Sequence, residues 1–120
     1  MLRCRFHCEG CGDNMKPLEW SHLVGRNNKG IGEPWCSLPE LTAGLCTSAF
    51  GEIGCHQKID RAIDTELLAH LRQKALIALI LRFGGSHQHL GYSNPLDGIR
   101  QVVSELEQAW VWDGQEIVQV

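Results

Sequence analysis

The sequence predicts an α+β protein: a small metal-stapled unit of short strands and one helix, followed by two helices and a short C-terminal hairpin. Three observations carry this. All six Cys fall within the first 55 residues, among Gly, Pro and Trp. Helical periodicity takes over after residue 61. The last segment, WVWDGQEIV, reads as strand, turn and strand around Asp113-Gly114, two residues that tolerate positive φ. The expected organisation is a stapled unit over residues 1–64 with a helical extension over 65–120 packed on it.

The whole chain sets bounds. Its 120 residues suit one domain, and 43% hydrophobic with 21% charged residues is ordinary for a globular protein. The net charge of −3 is unlike the basic balance of most nucleic-acid binders, although local placement of basic residues decides affinity. The longest apolar run, Ala75 to Leu81, is too short to cross a membrane, and the N-terminus has no stretch resembling a signal peptide. A cytoplasmic location is expected, where Cys serve metal or redox chemistry before disulfides.

Along the chain, residues 3–7 are expected as a short strand leading into a knuckle at CEGCG, with Gly10 and Gly12 supplying turn freedom. Residues 19–24 read as a second strand, and 25–40 as an ordered irregular loop. A helix is expected from His56 onward, with Ile59, Ile63, Leu67 and Leu71 recurring every four residues and Asp64 facing solvent. The run ALIALIL at 75–81 is too uniform for a surface helix and is expected to be buried on several sides, with a homodimer contact as one cause. Gly84-Gly85 ends it, and SHQHLGYS, carrying His87 and His89, reads as a solvated polar loop. Asn94-Pro95 reads as an N-cap with Pro at the first helical position. Leu96, Ile99, Val102, Val103, Leu106 and Trp110 then mark one helix face. Trp110 and Trp112 fit anchors for the hairpin better than base-stacking platforms.

Cys8 and Cys11 have the C-x2-C spacing that lets two thiolates of one turn reach a tetrahedral ion. Cys46 and Cys55 are the partners that close a structural zinc site, at the longer spacing C-x8-C. Scattered core Cys are the plainer alternative. Cys4 could replace Cys8 in C-x6-C with Cys11, and Cys36 could be a core Cys.

His56 directly follows Cys55 in CHQKID. On a helix, His56 and Asp60 stand at i and i+4 and reach a common divalent ion, with Mg2+, Mn2+, Ni2+ and Zn2+ all suited to imidazole plus carboxylate. His22, in WSHLVGR, lies on the expected second strand, and the knuckle would bring it over the His56–Asp60 face.

At these residues the chain resembles the HNH endonuclease family, especially the small phage- and prophage-type nucleases with a zinc knuckle. The resemblance rests on CEGC, SHLVGR and LC-x8-CHQKID in that order and covers roughly residues 4–64. It implies a ββα-metal fold and metal-dependent hydrolysis of DNA phosphodiester bonds in phage or prophage DNA processing or recombination. It also implies His22 as general base, His56 and Asp60 as ligands of the catalytic ion, and Cys8, Cys11, Cys46 and Cys55 as the structural zinc site. Arg26, Lys29 and Lys58 surround this site in sequence and either grip phosphates or are ordinary solvated charges. Two positions depart from the pattern. Ser21 stands where many members place an acidic residue or second His, and PELTAGL lacks the middle Asn, leaving Glu40 or Thr42 to steady the His22 loop. The other function expected is a non-catalytic zinc-stabilised module that binds DNA or protein.

Overall fold

The computed structural model describes residues 7–25, 31–49 and 51–120. Among them are three α-helices and two small antiparallel sheets, so the chain is a small α+β domain. The expected strand at 3–7 falls almost wholly outside the described residues, as do Cys4, Arg26 and Lys29.

Strand β1 (Leu18–His22) pairs antiparallel with β2 (Thr42–Cys46), from Leu18 opposite Cys46 to His22 opposite Thr42. Every residue of β2 is buried, which places this strand at the centre of the N-terminal half. Between the strands the described part of the loop is more regular than its Gly and Pro content predicts. Two 3-10 turns, Trp35–Ser37 and Pro39–Leu41, pack Trp35, Cys36 and Leu41 into the core.

Helix α1 (Cys55–Asp60) is short, and α2 (Thr65–Phe83) begins separately. The continuous helix expected from His56 is therefore broken. The break is a Schellman-type stop: Ile63 N–H donates to Lys58 C=O and Ala62 N–H to Ile59 C=O, while Ala62 takes φ 53. Ile63, expected on the core face, is 57% exposed as a result. Asp64 does not simply face solvent. Its carboxylate caps α2 by accepting from Leu67 N–H at 2.9 Å.

Leu71, Ala75, Leu76, Leu79 and Ile80 of α2 are buried, but Ile77 and Leu81 are exposed. Within this chain the ALIALIL run is thus covered on one side only. Gly84 ends α2 in the left-handed conformation that its sequence position predicts. Helix α3 (Pro95–Ala109) starts at the Asn94 cap and buries Ile99, Val102, Val103 and Leu106 against α2, the amphipathic stripe expected of it. Gly98 permits the close approach, because a Cβ there would meet Leu76 Cδ2 at 2.9 Å.

The segment expected as a solvated loop is a 3-10 turn (His87–Gly91) with His89 buried. His89 Nε2 lies 2.8 Å from Glu105 of α3, an attraction 16 residues away in sequence. Trp110 leaves the helix face and opens β3 (Trp110–Trp112), which pairs with β4 (Ile117–Gln119). The turn between them has four residues, not two, since the Asp113 carboxylate accepts from both Gln115 and Glu116 N–H. Trp110 meets Phe83 edge-on at 5.3 Å, and Phe83 meets Trp35 at 5.8 Å, anchoring the hairpin to the helices and to the inter-strand loop. One contiguous set of buried side chains runs from Cys8 through β2 to Leu106. No helix among the described residues is long and apolar enough to cross a membrane.

Candidate metal centre

The first half of the centre is a tight turn. Gly12 N–H donates to Cys8 C=O at 2.8 Å with Gly12 at φ 80, a conformation that favours glycine. The turn docks on β2: Glu9 N–H donates to Gly44 C=O at 2.9 Å, and Gly44 N–H donates back to the Glu9 carboxylate. Cys8 and Cys11 are thereby hung beside Cys46, the last residue of β2.

The second half solves the eight-residue spacing by folding the excess away. Ala49 and Glu52 exchange backbone hydrogen bonds across a tight reversal, with Gly51 at φ 77. The two ends of the excursion are then clamped. Gln57 accepts from Ser48 N–H at 2.8 Å and donates to Thr47 Oγ1 at 3.0 Å, and Gly54 N–H donates to Ser48 Oγ at 3.3 Å. Gly54 lies directly on the Cys46–Ser48 backbone, where any Cβ would overlap it. Cys55 therefore starts α1 next to Cys46, and its N–H donates to the Cys46 sulfur at 3.3 Å.

The four Sγ atoms of Cys8, Cys11, Cys46 and Cys55 all lie within 4.8 Å of one another, and Cys11 and Cys46 are 3.8 Å apart. Four thiolates about 2.3 Å from one tetrahedral ion are separated by about 3.8 Å, so the cluster is dimensioned for a metal ion such as zinc. Scattered core Cys do not describe it. Cys36 is the Cys that does behave so, buried outside the cluster beside Ser37.

The electrostatics agree. Burial alone would raise the Cys8 thiol, but N–H groups of Cys11, Cys46 and Gly10 aimed at its sulfur outweigh burial and bring it to about 7. Burial pushes Cys46 and Cys55 up, with the adjacent Cys8 adding to both. The Cys8 thiolate is favoured, and those of Cys46 and Cys55 are opposed until a cation shares their charge. Lys16 stands close by, its ammonium held above the ordinary lysine value first by Glu52 at 2.8 Å and further by Asp13 and Cys46.

His56 sits on the first turn of α1, half-buried. Its Nε2 lies 3.3 Å from Asp60 Oδ2, as the i, i+4 spacing predicts. Two ligands of one ion stand about 3.0–3.4 Å apart, which is the spacing of this pair, but among the described residues no third ligand joins it in a cluster. The other ring nitrogen, Nδ1, meets Glu19 of β1 at 2.9 Å. Sequence reasoning missed Glu19. The signal available was its register opposite Leu45, one step from Cys46 and the end of β2 nearest α1.

His22 is placed differently from expectation. It is half-buried at the far end of β1, three residues from Glu19, which is about 10 Å along a strand and on the other face of the pleat. Among the described residues the four Cys are the group of three or more such ligands that converges, and His22 is not drawn into one with His56 and Asp60. Ser21 is fully buried with an unpartnered hydroxyl. Glu40 is engaged by Arg82 at 2.7 Å and Thr42 Oγ1 donates to Pro39 C=O, which stiffens the loop leading to β2. Lys58 is on α1 between His56 and Asp60 in sequence. A comparison of the chain with family models, with curated proteins and with solved structures finds no match.

Proposed function

We propose that this protein is a zinc-stapled, metal-dependent DNA endonuclease of the HNH type. One observation carries the reading: a helix leaving the last Cys of the staple presents His56 and Asp60 side by side, with the ring of His56 braced by Glu19. The element order β1, β2, α1 around four Cys supports it as well.

In this reading the zinc is structural and fixes where α1 starts relative to β1. His56 Nε2 and the Asp60 carboxylate would hold the second ion. A divalent ion there would supply positive charge to the scissile phosphate and the leaving oxygen. The same reading gives His22 the part of the base that takes the proton from the attacking water. Lys58 would pair with backbone phosphates, and the resemblance gives Arg26 and Lys29, which lie outside the described residues, the same part. A second copy of the chain covering Ile77 and Leu81 is the expected oligomeric contact, read by sedimentation.

The second reading, a zinc-stabilised binding module without catalysis, is favoured by the separation of His22 from His56 and by Ser21 in the place of a ligand. Incubation with supercoiled plasmid decides between them. Nicking that requires Mg2+, Mn2+ or Ni2+ and disappears in His22→Ala and His56→Ala supports the nuclease. Equal residual nicking in both variants and in wild type would remove it.

A further inference from the structure

We propose that Glu19 is a positioning residue that fixes the His56 ring with its proton on Nδ1, leaving the Nε2 lone pair for a cation shared with Asp60. The inference rests on the nuclease reading for its purpose, but its geometry stands alone.

His56 has a carboxylate on each side. A neutral imidazole has one N–H and one lone pair, so it can donate to only one of them. The 2.9 Å contact to Glu19 has hydrogen-bond geometry and the 3.3 Å approach of Nε2 to Asp60 does not, so a neutral ring is best served by its N–H on Nδ1. The Nε2 lone pair is then left without a donor role 3.3 Å from an Asp60 oxygen, and a positive charge shared between the two, from a second ring proton or from a cation, is attracted to both. A divalent ion satisfies both at once. A carboxylate behind a ligating His sets its tautomer and orientation and raises its basicity, an effect worth about 10–100-fold in metal affinity.

The source of Glu19 matters too. His56 and Asp60 belong to one short helix, whereas Glu19 comes from β1, which the four-Cys cluster joins to α1 through β2. The staple and the second site are thus linked through one side chain. Glu19 is half-exposed and is not one of the four clustered Cys, so its replacement removes no ligand of the staple.

The test uses zinc-loaded full-length protein in three forms: wild type, Glu19→Ala and Glu19→Gln. Nitrogen-15 correlation spectra at a pH about two units above the ordinary imidazole range (near 6.5) read the His56 tautomer. Calorimetric titration with Mn2+ reads the second ion, with His56→Ala as the control for background binding. Wild type is expected with the proton on Nδ1. Glu19→Ala should shift the ring toward Nε2–H and weaken Mn2+ by about tenfold or more. Glu19→Gln, whose amide oxygen still accepts from Nδ1–H, should keep the tautomer and lose less affinity. An unchanged tautomer in Glu19→Ala, or a wild-type ring protonated on Nε2, overturns the proposal. A wild type that binds no more Mn2+ than His56→Ala overturns the shared cation and with it the nuclease reading, while the tautomer result still decides whether Glu19 positions the ring.

Discussion

Replacing Gly54 by alanine should damage metal binding although Gly54 offers no ligand. A Cβ at this position would overlap the carbonyl oxygen of Cys46, the carbonyl carbon of Thr47 and the amide nitrogen of Ser48. All three are backbone atoms, so no side-chain rotation relieves the overlap. Carbon contacts settle at about 3.5–4.0 Å, so Gly54 and the Cys46–Ser48 segment must move apart by roughly 1 Å or more. That motion separates Cys55 from Cys46 and lengthens edges of the sulfur tetrahedron. Overpacking costs about 1–3 kcal/mol in side-chain cores, and a rigid obstruction belongs at the upper end. About 3 kcal/mol corresponds to roughly a hundredfold weaker zinc if the strain is released by losing the ion. Competition against a chromophoric zinc chelator measures this directly. Gly91→Ala is the control, because among the described residues a Cβ there meets nothing within 4 Å on an ordinary backbone conformation. A Gly54→Ala protein that holds zinc as tightly as wild type would refute the closure of the long spacing described above.

Other outcomes follow from the same geometry. Ala62→Gly should stabilise the fold by about 0.5–1 kcal/mol in denaturant titration, since alanine pays a left-handed φ that glycine does not. Asp64→Ala should cost about 1 kcal/mol through the lost cap on Leu67 N–H, while Asp64→Asn should cost less. Glu105 is held below the ordinary glutamate range, first by its bond to His89. A depressed folded value means that its stabilisation is present above the unfolded value near 4.3 and is lost as pH falls through the folded one. Glu105→Gln should therefore flatten the acid side of the melting-temperature profile. Superimposable slopes in that window would show that the His89 contact contributes nothing.

What was legible in the sequence is what local chemistry determines. The Cys8–Cys11 turn, the Asn94 cap with Pro95, the stripe from Ile99 to Leu106 and the stop at Gly84 each follow from residues within a few positions of one another. The break at Ala62 was hidden because alanine occupies a position that glycine normally marks, and Ile63 happens to continue the four-residue spacing. The polar neighbours of His89 predict a solvated side chain, whereas its burial depends on Glu105 one helix later. The excursion between Cys46 and Cys55 closes through Gln57, which no spacing rule singles out. Glu19 escaped notice for the same reason: only strand register brings it to His56.

The central claim is that Cys8, Cys11, Cys46 and Cys55 together hold one metal ion. Cobalt substitution tests it most directly, because Co2+ in a tetrahedral thiolate site shows intense thiolate charge-transfer and d–d absorption. The expected result is one equivalent of Co2+ with a four-thiolate spectrum, displaced by one equivalent of zinc and altered in Cys8→Ser and Cys55→Ser but not in Cys36→Ser. A protein that takes up no ion, or whose spectrum is unchanged in Cys8→Ser and Cys55→Ser, would contradict the account.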